Sequence, residues 1–265
     1  MRRQTGFTLV ELVMVIVLLS IVALVSVKFV GDSTRGAIDT GQRQQRGIAA
    51  SVISEQVSRA LRQALPGSIR VTPDGRCVEF MPVLGASVYV SIPRDKAASS
   101  FKAVAISPTQ SLTGHIAVYP IIDSTLYSPS TTGSLSASVA TVPSGSGQVK
   151  VTFASGTQQF PTDSPTQRFF VVGAPMAFCG EGAYLYRYRS YGFVSDVSTL
   201  EGQLPGAYPN REVVGAPLQL NSVSFVYIPA SLHRNAVVTF NYTLVDAASG
   251  ETMPVTQEVQ LHNVP

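Results

Sequence analysis

Residues 1–30 read MRRQTGFTLVELVMVIVLLSIVALVSVKFV. The first six are short, basic and polar and end at Gly6, while residues 12–27 carry no charge. Between them stands one acid, Glu11, at the head of an apolar run with helical character. A carboxylate at hydrocarbon depth costs about 2.5–3.5 kcal/mol on insertion scales, so an acid placed there needs a reason. Residues 7–30 would reach about 36 Å as a helix, enough to span a bilayer. A cleaved secretory signal would carry a shorter apolar run and a small-residue A-x-A site; here the polar leader stops before the run and no such site follows. A plain anchor explains the length but not Gly6-Phe7-Thr8-Leu9-Val10-Glu11. Arg2 and Arg3 fit the positive-inside rule, which keeps the N-terminus in the cytoplasm and turns the C-terminal body outward.

That hexapeptide, with arginines before it and about twenty apolar residues after it, resembles the prepilin cleavage and methylation site of type IV pilins and type II secretion pseudopilins. The resemblance implies cleavage between Gly6 and Phe7 by a prepilin peptidase, which is also the N-methyltransferase of the new first residue, Phe7. It also implies that Glu11 pairs with the N-terminal amine of a neighbouring subunit. Such a pair neutralises two charges that are each costly in an apolar fibre core. The partners implied are that enzyme, other major and minor pilins, an inner-membrane assembly platform and the membrane itself. The implied location is the inner membrane of a Gram-negative bacterium with the body periplasmic, then the pilus or cell surface.

The expected organisation is a leader at 1–6, a transmembrane and assembly half-helix at 7–30, an amphipathic half-helix at 31–65 and a β-rich extracytoplasmic body at 66–265. Ile48, Val52, Val57, Leu61 and Leu65 recur at helical steps, Glu55 and Arg59 form an i,i+4 pair, and Pro66-Gly67 ends the helix. No proline precedes residue 66, so the kink usual in type IV pilins is not expected. Gly36, Gly41 and Gly47 weaken the middle, each by about 1 kcal/mol relative to Ala. The apolar face of the outer half needs a sheet to lie on.

Beyond residue 68 the pattern turns to strands, at 69–71, 77–81, 87–92, 101–106, 116–122, 169–173, 220–228, 236–246 and 255–261. Residues 123–168 are rich in Ser, Thr, Gly and Pro, with Val149–Phe153 as an inserted strand, and read either as a surface hairpin or as a poorly ordered loop. Tyr184, Tyr186 and Tyr188 alternate with Leu185, Arg187, Arg189 and Tyr191. Such a strand suits a packed and a solvated face, or a stacking surface for nucleic acid or sugar. The stretches 61–71, 77–80, 185–193 and 258–265 resemble minor pilins of the mannose-sensitive haemagglutinin (MSHA) pilus, and a body this large favours a minor, priming or tip subunit.

Cleavage of the leader would take the net charge from +3 to +1, which gives no argument for nucleic acid. Cys77 and Cys179 can pair in an oxidising periplasm or stay as two buried thiols. His115, His233 and His262 are scattered, and no nucleophile elbow, metalloprotease helix or phosphate loop is present. Asp196, Glu201 and Glu212 match no calcium-loop spacing. The expectation is a non-enzymatic α+β chain without cofactor or metal, a long N-terminal helix packed on an antiparallel sheet with an enlarged β-rich body.

Overall fold

The computed structural model describes residues 6, 8–120, 125–231, 234–247 and 249–261. It is an α+β chain: helix α1 (Leu9–Arg62, 54 residues) is followed by antiparallel strands. Two compact units divide at Ala49 and Ala50. In the first, every side chain from residue 8 to 40 is exposed.

In the second unit the last turns of α1 change character. Ile53, Val57 and Leu61 are buried, and Leu65 follows them just past the helix end. This is the amphipathic stripe expected from the sequence, and two sheets receive it. A five-stranded sheet runs in the order β1 (Arg70–Val71), β2 (Cys77–Phe80), β9 (Met176–Glu181), β10 (Tyr184–Tyr188), β11 (Arg211–Gly215). A three-stranded sheet consists of β12 (Ser224–Ile228), β13 (Ala236–Val245) and β14 (Thr252–Leu261). Gly215 lets β11 come close to the helix, since a Cβ there would stand 2.7 Å from Ile53 Cδ1. From the other sheet the Tyr242 hydroxyl donates to the Ala50 carbonyl at 2.7 Å. Strand β13 alternates strictly between buried and half-buried positions, with Phe225, Phe240 and Tyr242 in a stacked row beneath the helix end. Past the helix, Gly67 takes φ 82°, and Leu65 and Gln63 bond across to Met81 and Val83.

Between β2 and β9 the chain builds a closed six-stranded barrel: β3 (Val83–Ser91), β4 (Ser100–Val104), β5 (Leu112–Val118), β6 (Leu135–Val142), β7 (Gln148–Phe153) and β8 (Arg168–Val172), in the order β3-β4-β7-β6-β5-β8. Its interior is filled by Tyr89, Phe101, Ile116, Phe153, Phe160 and Phe169 with smaller residues. The stretch read from sequence as a surface hairpin or loose loop therefore supplies two of the six walls, β6 and β7, as well as the core residue Phe160. The composition misled because β6 sends only Ala140 and Val142 into the barrel core, while Ala137, Val139 and Thr141 are exposed and the buried Ser136 is held by hydrogen bonds.

The barrel is tied to the body at its root. Cys77 and Cys179 are direct partners in the β2–β9 register, their Cα atoms are 4.2 Å apart, and their sulfurs are bonded. Leu65, Met81, Ala117, Leu126, Phe170 and Val172 form the apolar joint between barrel wall and body. Beside that joint lies Glu79, with 0% exposure. It accepts from Arg70 Nε at 2.6 Å and from the Tyr191 hydroxyl at 2.9 Å. Arg70 also lies 3.4 Å above the Tyr127 ring and donates to the carbonyls of Val194 and Ser195. Three segments distant in sequence thus meet at one buried ion pair.

Burial pushes the Glu79 carboxyl above its ordinary value, and the Arg70 charge and hydrogen bond oppose that without cancelling it. Burial likewise raises the Tyr127 and Tyr191 phenols, so both stay protonated as donors. A carboxyl raised in the folded state adds stability that is fully present below its ordinary value, about 4.5, and lost as pH rises through the folded value. Wild type compared with Glu79→Gln, unfolded by urea as full chain in detergent, is therefore expected to show its largest relative stability near pH 4 and a decline towards neutrality. A difference that grows with pH would mean that the ion pair outweighs desolvation. A second expectation concerns the cysteines. Their bond closes a loop of 102 residues that contains the whole barrel, for which chain entropy gives about 4–5 kcal/mol, with measured values often nearer 2–4. Reduction or Cys77→Ser with Cys179→Ser is expected to lower the urea midpoint accordingly, without changing the helix content seen by circular dichroism.

Candidate assembly site at the head of the apolar helix

Helix α1 starts at Leu9 because Thr8 caps it. The Thr8 hydroxyl accepts from the Glu11 N–H at 3.3 Å, and the Thr8 carbonyl accepts from the N–H groups of Glu11 and Leu12 at 3.1 and 3.2 Å. Thr8-x-x-Glu11 is the spacing of a capping box, and its threonine half is made. Glu11 lies in the first turn, where the helix dipole favours an anion by about 0.3–1 kcal/mol. That is several times smaller than the cost of placing a carboxylate in hydrocarbon. Capping therefore accounts for a helix start at Thr8 but not for an acid kept at the head of an uncharged run. Among the described residues no cation pairs with Glu11.

Gly6 is exposed, and a Cβ added there would meet nothing within 4 Å. Among the described residues, nothing crowds this position. Phe7 lies outside the described residues.

The helix that follows is apolar on every side. An 18-residue window reaches a mean hydropathy of 2.9, with none of it buried, and the helix is long and apolar enough to cross a membrane. Its polar atoms are handled internally: Ser20 donates to the Ile16 carbonyl at 2.8 Å, the arrangement a hydroxyl adopts where no water is available. A continuous apolar surface of this size is not left in water; it asks for lipid or for other apolar helices.

The other sequence candidates are occupied or apart. Tyr184, Tyr186 and Tyr188 do share one face, with ring centroids 5.5 and 6.0 Å apart. Arg211 already lies 3.8 Å over Tyr186, so the row is not an open stacking platform. On the opposite face Arg187 and Arg189 both donate to Glu212. The hydrogen bond from Arg187 and the two guanidinium charges hold that carboxyl below its ordinary value against a smaller desolvation effect. Strand β10 ends at Tyr188, not Tyr191, because Ser190 and Gly192 both take positive φ. Asp196, Glu201 and Glu212 do not converge: Asp196 caps the 3-10 turn at Val197–Gln203, Glu201 pairs with Arg76, and Glu212 holds the two arginines. Among the described residues no cluster of three metal-ligating side chains exists. His115 packs edge-on against Phe193 and bonds the Ser136 carbonyl, while His233 and His262 lie outside the described residues. Sequence reasoning missed β11, whose Glu212 neutralises the arginines; its signal is the short Val-Val step after Arg211-Glu212.

Residues 1–27 match the family model for the prokaryotic N-terminal methylation motif. No curated protein and no solved structure matches the chain. The match ends inside the apolar run, so it speaks for the N-terminal segment and not for the barrel or the sheets. Together with the long apolar helix behind it, the methylation motif supports a type IV pilin-like chain, with association with membrane and with other pilins.

Proposed function

We propose that this chain is a minor subunit of a type IV pilus of the MSHA type, most like its O-type subunit. It is cleaved between Gly6 and Phe7 by the prepilin peptidase, N-methylated on Phe7 and taken into the fibre or its initiating complex, where it supports surface adhesion. The observation that carries this reading is the head of α1: a methylation motif, an exposed glycine, and one acid leading an exposed apolar helix. In this reading the helix rests in the inner membrane with the body periplasmic, and then packs among the helices of other major and minor pilins. Glu11 accepts the N-terminal amine of a neighbour, which gives each charge the partner that the chain alone does not supply. The assembly platform and its motors provide the work, and the chain itself performs no catalysis.

The cysteine pair holds the enlarged body together outside the cytoplasm in the same reading. A type II secretion pseudopilin shares the motif and is the second reading. A tip adhesin or DNA-uptake subunit built on Tyr184–Tyr188 has less behind it, because Arg211 covers Tyr186 and Glu212 ties down the arginines.

Mass spectrometry of sheared surface fibres is expected to find N-methyl-Phe7 at the start of the chain. Methylated peptide confined to the membrane fraction, together with a secretion defect, would favour the pseudopilin; an uncleaved Met1 peptide everywhere would refute both. Glu11→Val is expected to insert and be processed normally, yet fall at least about tenfold in fibre incorporation, since it loses one charge-pairing interaction. Gly6→Val is expected to accumulate as the uncleaved precursor.

A further inference from the structure

We propose that the outer face of β3 on the barrel wall docks a second, different protein that presents carboxylates beside apolar side chains. Along β3, Tyr89 points into the barrel core, and the Cβ direction of Gly85 points at Leu112 and Ile106, which pack on that core. Alternation therefore turns Leu84, Ala86, Val88 and Val90 outward. Outward rows of a solvated strand are ordinarily polar. Here all four are apolar, and Leu84, Val88 and Val90 are 46%, 43% and 46% exposed. The row extends about 20 Å. Its first residue, Leu84, follows Val83, which packs on the joint between barrel and body, and the row leads away from that joint.

Charge frames the row. The six barrel strands carry Lys102, Lys150 and Arg168 and not one Asp or Glu. Arg168 is the register partner of Val88 on one side. On the other side Lys102 is the partner of Ser91, next to Val90, and Lys150 stands directly opposite Lys102. Their strand neighbours Phe101, Ala103, Val151 and Phe169 fill the core, so all three cations face out. No carboxylate pairs with them among the described residues. Like charges directly opposite one another across strands are unfavourable, and an acidic partner would relieve that repulsion while covering the apolar row.

The barrel is closed, and β3 is hydrogen-bonded to β4 and β8. No backbone edge is free there for strand addition, so recognition is by side chains. A bilayer fits less well, because lipid-surface segments rely on several aromatic and leucine side chains that reach into the headgroups, whereas this row carries no aromatic residue and a single leucine, Leu84. The proposal rests on the fibre-subunit reading only in where the partner is sought, among proteins gathered at assembly.

The test places a photo-crosslinking residue at Val88 of the full chain in cells, with Thr141, on the opposite wall, as control. The expected result is one defined protein adduct at Val88 and none at Thr141, mapped to an acidic segment of the partner. Lys102→Glu with Lys150→Glu should lower its yield about tenfold, and converting the mapped carboxylates to lysine should restore it. Equal adducts at both positions, an adduct indifferent to charge reversal, an adduct to lipid, or an adduct to a second copy of this chain would each overturn the proposal. N-methyl-Phe7 is followed in the same cells. A methylated, fibre-incorporated chain without the Val88 adduct removes the docking surface and leaves the functional reading. An unprocessed chain with the charge-sensitive adduct does the reverse.

Discussion

The outer end of α1 is the support on which the body is assembled. Val57 and Leu61 have no exposed surface, and each full burial of such a side chain contributes about 1.5–3 kcal/mol. Two sheets that do not share a ladder meet on these few residues. The five-stranded sheet approaches through the missing side chain of Gly215, and the three-stranded sheet through the Tyr242 hydroxyl on the Ala50 carbonyl. On its other face the five-stranded sheet packs Cys77, Ala177, Cys179 and Tyr188 with Val194 and Leu200. Without the last three turns of α1 the helix-facing sides of both sheets would open, which makes the end of the helix a core element of the body.

The second organising feature is the way the barrel is inserted. Chain leaves the sheet through β2 and returns through β9, and those strands are neighbours. The long excursion therefore costs the sheet no pairing, and closing its root is the main entropic burden. The disulfide acts at that point, and the Arg70–Glu79 pair acts beside it on β1 and β2. The two devices differ in kind. The cysteines constrain the unfolded chain, whereas the ion pair links Tyr127 of the barrel side and Tyr191 of the covering loop to one buried carboxylate. Because desolvation exceeds the attraction of Arg70 there, the pair contributes position more than free energy.

What the sequence made legible follows from where one physical effect dominates. The apolar run, the amphipathic stripe ending at Leu65 and the strands β12 to β14 were readable because burial on one face writes a period into the chain. The register of Tyr184, Tyr186 and Tyr188 was readable for the same reason. Five barrel strands, β3, β4, β5, β7 and β8, overlap runs that read as strands, but β6 and the closure did not show, since Ala140 and Val142 look like loop composition between serines and closure is a long-range relation. Strands β9 and β11 escaped because their neighbours decide them: Cys179 and Glu212 are placed by pairing with β2 and β10, a long-range relation that no local pattern encodes. At the helix head the motif was legible and the cap was hidden inside it, since Thr8 and Glu11 belong to both.

Most side chains in this molecule can be traced to the fold. Arg187 and Arg189 answer to Glu212, Arg76 to Asp74 and Glu201, and Asp196 to the turn it caps. Against that background the unexplained residues stand out by their chemistry. Gly6 has open space where any side chain would fit, and Glu11 sits where its own helix cannot offset the cost of its charge. The outward row of β3 is apolar where water would favour polar groups, and it is framed by cations that repel one another. A folded monomer gains nothing from any of these choices and loses some stability through the last two. Residues that cost a monomer free energy persist when a second molecule offsets the cost, and this is why the helix head and the β3 row are the two surfaces we propose for contact with other molecules.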